Sequence, residues 1–318
     1  DKNFQLTLSG HGVLAIMVNS REGDVRMSTI RAPSLEEVVK SQGSLYRAVN
    51  YLLKLGMGDE DIHSRYNVPY HIILMFKNGY KLESPVRFWE IVNYYKQIAE
   101  MHSVKAKKVT VSEFLTKISL SFEKRVRFIT GEIADDPLNV GDETVLESLR
   151  LVSYKTKGEA QSLKIDYGDL GDLASRIVTD KSHSNLLADE VFYTLKCLPE
   201  TGRNLAIQSI MSLFLKCNKD EARFLCRLLT KHLHIGLGNP TIIRAVSQYT
   251  GTDYDLLAGA TLLQGRIEGL MSALKGNEYL NSIKIVPGRF IEPQLAMLME
   301  RKMIRYPSRV ENKYDGIR

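Results

Sequence analysis

The sequence predicts a mostly α-helical fold, with a long helical domain between two smaller parts of mixed composition. Apolar residues recur at helical spacing from about residue 87 to about residue 281. Before that range, apolar runs of strand length accompany a helical segment, and after it a strand-like alternation begins. We therefore expect a small α+β unit at 1–86, a helical domain of about ten helices at 87–281, and the first strands of another domain at 282–318.

The first unit combines strand and helix signals. Residues 4–8 alternate apolar and polar side chains, and residues 13–18 form a continuous apolar run, so both are predicted strands. Residues 34–37 have the spacing of a capping box, which opens a predicted helix running toward Leu55. Residues 71–76 again have strand composition. The unit contains no cluster of site-like residues, so we expect it to be dispensable for nick binding and to serve folding or partner contacts.

The helical domain is predicted from apolar positions three and four residues apart, as at 88–98, 145–152 and 207–214. Short loops rich in Gly, Asn, Asp and Pro separate these segments, and no repeat of fixed period emerges. In the last part, residues 283–286 alternate like a strand, and residues 310–314 form the next predicted strand.

Composition and charge narrow the class of protein only slightly. Hydrophobic residues make up 44% and charged residues 25%, as in globular proteins. The net charge of +6 is compatible with a polyanionic partner but does not identify one. No apolar run approaches the roughly 18 residues of a membrane span, and no signal peptide is visible. We expect no membrane association and an intracellular location.

The cysteines and histidines do not have the spacing of metal ligands. Cys197, Cys217 and Cys226 lie far apart among apolar residues and are expected to be buried thiols in a reducing compartment. His232 and His234 are two apart, which would place them on different faces of a helix. We therefore expect no metal site within this chain.

The last eight residues, Glu311-Asn312-Lys313-Tyr314-Asp315-Gly316-Ile317-Arg318, have the strongest chemical signal. A deprotonated lysine amine such as that of Lys313 could attack the α-phosphorus of a nucleotide. Arg318 could hold phosphate or ribose oxygens through two hydrogen bonds, and Gly316 would let the backbone turn close to a ligand. The motif alone is equally compatible with a strand that ends in an Asp-Gly turn. Since the chain stops inside this motif and begins at Asp1, we expect both ends to be truncations.

A second candidate site lies in residues 227–241. Gly236 and Gly238 would let backbone amides approach a phosphate, and Asn239 would cap a helix beginning at Pro240 and Thr241. The free N–H groups at that helix start would face the anion.

Two cations complete this predicted site. Arg227 and Lys231 are four residues apart, so on a helix they would share one face and flank the anion. The alternative is an ordinary helix–turn–helix corner with a Gly stop and a Pro start.

These segments resemble a known family. Residues 311–318 resemble motif I of the covalent nucleotidyltransferases, and residues 224–243 resemble the helical DNA-binding domain of archaeal and eukaryotic ATP-dependent DNA ligases. Other parts of 87–318 resemble the same ligases in the same order, and these parts are 126–133, 166–174 and 279–286. Two residues depart from the pattern: Gln294 replaces the usual Met, and His234 replaces the usual Arg.

The resemblance implies a set of site residues. Lys313 would be the catalytic residue that takes up AMP, Glu311 would help select adenine, and Arg318 would contact the nucleotide sugar region. Among the residues of the second site, the expected DNA contacts are Arg227, Lys231, Gly236, Gly238, Asn239 and Thr241. ATP and Mg²⁺ are the expected cofactors.

The expected function is therefore the sealing of nicks in duplex DNA during replication, repair or recombination. This chain alone would bind DNA as a monomer but not seal it, and a sliding clamp is a conceivable partner. The compartment would be the cytoplasm or nucleoid in an archaeon or virus, and the nucleus in a eukaryote. Two alternatives remain: a non-catalytic DNA-binding or scaffold protein, and an RNA ligase or mRNA-capping guanylyltransferase.

Overall fold

The computed structural model describes residues 34–179, 184–273, 277–285 and 287, together with the backbone of residues 4–8, 13–18 and 26–31. The described residues are mostly α-helical, and this confirms the predicted fold class. Residues 283–285 have no regular secondary structure, so the strand predicted there is not observed. The strand predicted at 310–314 lies outside the described residues.

Three described strands near the start of the chain form an antiparallel sheet in the order β1 (Phe4–Leu8), β2 (Val13–Val18) and β3 (Arg26–Arg31). The prediction of β1 and β2 is confirmed. The sequence did not predict β3, because its apolar residues do not alternate with polar ones.

In the part of the chain that the structure describes, four helices precede the predicted helical domain: α1 (Leu35–Gln42), α2 (Leu45–Lys54), α3 (Asp59–Tyr66) and α4 (Tyr70–Lys77). The predicted capping box is present, since Ser34 Oγ accepts from Glu37 N–H and Ser34 N–H donates to Glu37 Oε2. The helix predicted to run toward Leu55 is in fact two helices. The first ends at Gly43, whose φ of 77° is left-handed, and Ser44 then caps the second.

The prediction of a strand at residues 71–76 was wrong, because these residues belong to helix α4. All of its residues from Tyr70 to Phe76 are buried. A helix that is buried on every side shows no polar face, so its sequence reads as a continuous apolar run. Such a run does not distinguish a buried helix from a buried strand.

Twelve further α-helices follow in the described residues. The described residues between 86 and 281 contain no strand, as predicted. They are α5 (Phe88–Glu100), α6 (Val104–Lys117), α7 (Phe122–Thr130), α8 (Asp142–Val152), α9 (Lys157–Tyr167), α10 (Leu170–Ile177), α11 (Ala188–Cys197), α12 (Arg203–Phe214), α13 (Lys219–Leu229), α14 (Asn239–Thr250), α15 (Tyr254–Gln264) and α16 (Asn277–Ser282). Two 3₁₀ helices cover Leu198–Glu200 and Ile267–Ala273.

Among the described residues, the buried apolar side chains form two clusters. The larger one extends from Val86 to Leu280 and includes the fully buried rings of Tyr95 and Phe128. The smaller one extends from Val38 to Phe76. Helix α4 connects them, because it packs against α2 and α3 on one side and against α11 and α12 on the other.

Buried polar contacts also join α4 to the helical domain. His71 on α4 is fully buried, and its Nε2 lies 3.1 Å from Glu190 Oε2 on α11. Lys216 forms an ion pair with the same carboxylate. Burial lowers the pKa of His71, which favours a neutral ring that donates through Nε2.

The segment after α4 is held by a second buried carboxylate. Asp189 Oδ2 accepts from the backbone N–H groups of Glu83 and Ser84, at 3.0 and 2.9 Å. Its Oδ1 pairs with Lys124 Nζ at 2.7 Å. Asp189 is fully buried, so these three bonds are what offset the cost of removing its charge from water.

Cys197, Cys217 and Cys226 are all buried, as predicted. Burial raises the pKa of the Cys197 thiol to about 12, which keeps it protonated and unreactive at neutral pH. Within the described residues, no helix is both long and apolar enough to cross a membrane.

Candidate nucleic-acid interface

The turn between α13 and α14, residues 230–238, contains three of the six residues predicted to bind DNA, and the other three lie on the two flanking helices. Helix α13 ends in a Schellman motif, in which His232 N–H donates to Arg227 O at 2.9 Å and Lys231 N–H donates to Leu228 O at 3.3 Å. Lys231 occupies the left-handed position with φ 59°. The prediction that Arg227 and Lys231 share one helical face is therefore wrong, because the helix ends before Lys231.

Arg227 is bound within the protein. Its side chain is only 13% exposed, and its Nη2 lies 3.4 Å from Asp172 Oδ1 and 3.5 Å from Asp169 Oδ1. Its guanidinium also lies over the ring of Phe224, at 5.5 Å from the centroid. These contacts hold α13 against the start of α10, so Arg227 has a structural role, and its contact with DNA stays a prediction.

Lys231 extends in a different direction. Its Nζ lies 2.7 Å from Glu132 Oε2, in the loop after α7. Arg266 approaches the same carboxylate at 3.8 Å. Lys231 is about one-third exposed, so a phosphate would compete with Glu132 for its ammonium.

Asp169 connects three parts of this region. It caps α10 through Asp172 N–H at 2.8 Å, and it accepts from Arg227. Its Oδ2 lies 3.0 Å from Nδ1 of His234, which has φ 53° and is 53% exposed. Burial by itself raises the pKa of Asp169, but the bond from Asp172 N–H and the charges of Arg227 and His234 hold that pKa below its usual value.

Gly236 has a structural reason to be glycine. Its φ of 59° lies in the left-handed region, and an added Cβ would approach Lys107 Nζ to 2.7 Å. Lys107, on α6, donates to the backbone oxygens of Ile235 and Gly236, at 2.8 and 2.7 Å.

Gly238 has no structural reason to be glycine. Its φ is −91°, which any residue adopts, and an added Cβ would meet only Pro240 Cδ at 3.7 Å. Gly238 is the N-cap of α14, so the prediction that Asn239 caps this helix was wrong by one residue. Asn239 is the first helical residue and is exposed, and Thr241 N–H donates to Gly238 O at 3.0 Å.

The start of α6 adds positive charge beside this turn. Lys105 is exposed and Lys108 is half-buried. Among the described residues, α6 forms one ion pair, which joins Lys117 to Glu113 at the opposite end of the helix. The charges of Lys105 and Lys108 are therefore available to an anion.

Sequence reasoning did not identify Lys107, Asp169 or Glu132 as parts of this region. Asp169 lies in a segment that resembled the ligases, but its partners are distant in the sequence. Lys107 is one of four lysines in α6, and no local pattern marks it as the buried one.

The predicted nucleotide site cannot be placed in this geometry, because Glu311, Lys313 and Arg318 lie outside the described residues. In the part of the chain that the structure describes, no group of three or more His, Cys, Asp and Glu side chains could hold a metal ion.

Comparison with known proteins assigns the family. The family model described as "DNA ligase N terminus" matches residues 87–247, which is half of the chain and covers α5 to most of α14. The chain therefore belongs to the DNA ligase family.

Curated relatives agree with this assignment. The chain is 25% identical over 222 residues to a DNA ligase of Ignicoccus hospitalis, covering 62% of the chain and 37% of the relative. It is 24% identical over 255 residues to the DNA ligase of Methanosphaera stadtmanae (72% and 45%). It is 26% identical over 256 residues to that of Methanobrevibacter smithii (73% and 46%). The chain thus spans less than half the length of these relatives.

Proposed function

We propose that this chain is the DNA-binding part, with the start of the adenylation domain, of an ATP-dependent DNA ligase that seals nicks in duplex DNA. The family match over residues 87–247 carries this proposal. The sequence Lys313-Tyr314-Asp315-Gly316 supports the enzymatic part, because it follows the matched region at the position where a nucleotidyltransferase motif is expected.

The proposed reaction has three balanced steps. The amine of Lys313 attacks the α-phosphorus of ATP, a P–N bond forms, and pyrophosphate leaves. The 5′-phosphate at the nick then takes the AMP group, and Lys313 regains its free amine. Finally the 3′-hydroxyl attacks the activated 5′-phosphorus, the phosphodiester forms, and AMP leaves.

Glu311 and Arg318 would hold the nucleotide in this proposal. Magnesium, when bound, would neutralise phosphate charge. The described residues offer no metal site, so its ligands would lie elsewhere in the whole protein.

The proposed DNA contact lies at the turn before α14. Gly238 and Asn239 are exposed at the start of a 12-residue helix, and neither N–H group donates to another group among the described residues. These two N–H groups and the positive end of the helix dipole favour a phosphate. Lys105 and Lys108 would add charge nearby. Such contacts bind the phosphate backbone without reading the base sequence.

Gly238→Val tests this contact. We expect binding of nicked duplex to weaken by about ten- to hundredfold, since the branched side chain would hold a phosphate away from the amides and a hydrogen bond to a charged group contributes about 1.5–3 kcal/mol. The thermal midpoint should change little, because the backbone angles and the space around Gly238 accept a side chain. Fluorescence anisotropy with a labelled nicked duplex measures the affinity.

Gly141→Val is the matched control. Gly141 caps α8 with φ −88° and has nothing within 4 Å of an added Cβ, so both variants lose the same type of glycine N-cap. Gly141→Val should bind DNA normally. Equal affinities for the two variants would mean that the turn before α14 is only a structural corner.

A further inference from the structure

Lys107 is a nearly buried lysine directly beneath the turn before α14. It lies on α6, which packs against α14, and only 8% of the residue is exposed. Its Nζ donates to Ile235 O at 2.8 Å and to Gly236 O at 2.7 Å. An ammonium group has three donors, so two of the three are used to hold consecutive carbonyl groups of the turn.

These two bonds determine where the neighbouring amides point. In a trans peptide, the C=O and the following N–H lie in one plane and point in opposite directions. Because the oxygens of Ile235 and Gly236 face Lys107, the N–H groups of Gly236 and Leu237 point away from it. Neither N–H donates to another group among the described residues. Consecutive backbone N–H groups of this kind, next to a left-handed residue, form an anion-binding concavity.

The charge of Lys107 is not neutralised within the described residues. No carboxylate there lies within ion-pair distance of Nζ, in contrast to Lys124, whose charge is paired with Asp189. A positive charge in a weakly screened position beneath the turn favours an anion on its outer side.

We propose that Lys107 is a positioning residue for a DNA phosphate and acts through the turn without touching the DNA. It holds the two carbonyl groups inward, directs the amides of Gly236 and Leu237 outward, and places an unpaired positive charge behind them. This inference rests on the proposed function, since it assigns a cause to the DNA affinity of that same turn.

Lys107→Met in the 318-residue chain tests the inference, because methionine keeps an unbranched apolar chain and removes the donors and the charge. We expect the affinity for nicked duplex to fall about tenfold at every salt concentration. The slope of log K against log salt should change by much less than the roughly 0.9 that one direct phosphate contact contributes. Lys107→Arg, which keeps the charge and the donors, should recover part of the affinity.

Lys117→Met is the control, since it removes the same charge from the opposite, exposed end of α6. An affinity of Lys107→Met equal to that of Lys117→Met would overturn the inference. So would a slope reduced by about one unit, because Lys107 would then contact a phosphate directly.

A measurement on the unaltered chain covers the case in which Lys107→Met does not fold. On addition of nicked duplex, the amide resonances of Gly236 and Leu237 should shift, and their hydrogen exchange should slow. Unchanged resonances for both amides would overturn the inference even if the chain binds DNA. Failure of the unaltered chain to bind any duplex would instead refute the proposed function.

Discussion

Lys313→Ala is expected to abolish covalent labelling of the whole protein by ATP that carries the label at its α-phosphate. The proposed first step forms a P–N bond to the Lys313 amine, and alanine offers no nucleophile. Lys313→Arg should fail as well, because a guanidinium stays protonated. The label on the unaltered protein should be acid-labile, and tryptic mapping should place it at Lys313.

Lys302→Ala is the control for this experiment, since it removes a nearby lysine that lies outside the motif. It should label normally, and both Lys313 variants should still bind nicked DNA. The 318-residue chain alone should not label detectably, because motif I is only part of a nucleotide site. Normal labelling of Lys313→Ala would refute the assignment of the nucleophile, and a preference for GTP would support a capping enzyme.

Removal of residues 1–86 is the second change with a large expected effect. It would uncover the faces of α11 and α12 that pack against α4, and it would leave Glu190 without His71. These contacts change the expectation from the sequence that residues 1–86 are dispensable for nick binding. We expect the shortened chain to unfold at a much lower temperature, or not to fold, and to lose DNA affinity for that reason. Thermal denaturation and nicked-duplex binding measure the two effects.

Removal of residues 1–33 is the matched truncation. It retains α1–α4 and every described contact of α4 with α11 and α12, so stability and DNA affinity should remain close to those of the unaltered chain. Equal behaviour of the two truncated chains would show that α1–α4 are separable from the helical domain.

A point substitution tests the same junction without shortening the chain. Glu190→Ala leaves the buried Nε2–H of His71 without an acceptor, and an unsatisfied buried donor costs about 1–3 kcal/mol. We expect the free energy of unfolding to fall by about 2 kcal/mol. A change below about 0.5 kcal/mol, as is typical of surface substitutions, would show that the buried contact contributes little.

Local patterns in the sequence predicted those parts of the fold that depend on nearby residues. Helix α5 has apolar side chains on one face, and the capping box of Ser34 and Glu37 requires only two residues three apart. Helix α4 was predicted as a strand because burial on both sides removes the polar face that identifies a helix. The end of α1 at Gly43 was also missed, although a Gly-Ser pair is a common helix stop and start.

The turn proposed to bind DNA could be predicted from the sequence as a turn before a helix, but its internal contacts could not. The Gly-rich turn and the following proline indicated the position of the helix start. The partners of the two cations could not be predicted, because they are distant in the sequence. Arg227 pairs with Asp169, 58 residues away, and Lys107 donates to Ile235 O, 128 residues away. Gly236 has a left-handed φ and Gly238 does not, and only the structure shows this difference between the two glycines.

The salt dependence of nicked-duplex binding by the 318-residue chain tests the central claim most directly. If the turn before α14, together with Lys105 and Lys108 of α6, binds DNA phosphates, log K should fall linearly with log salt, by about 0.9 for each phosphate contacted. Two unrelated DNA sequences should give the same affinity, because phosphate contacts carry no base information. No measurable binding at low salt, or an affinity that does not change with salt, would contradict the account.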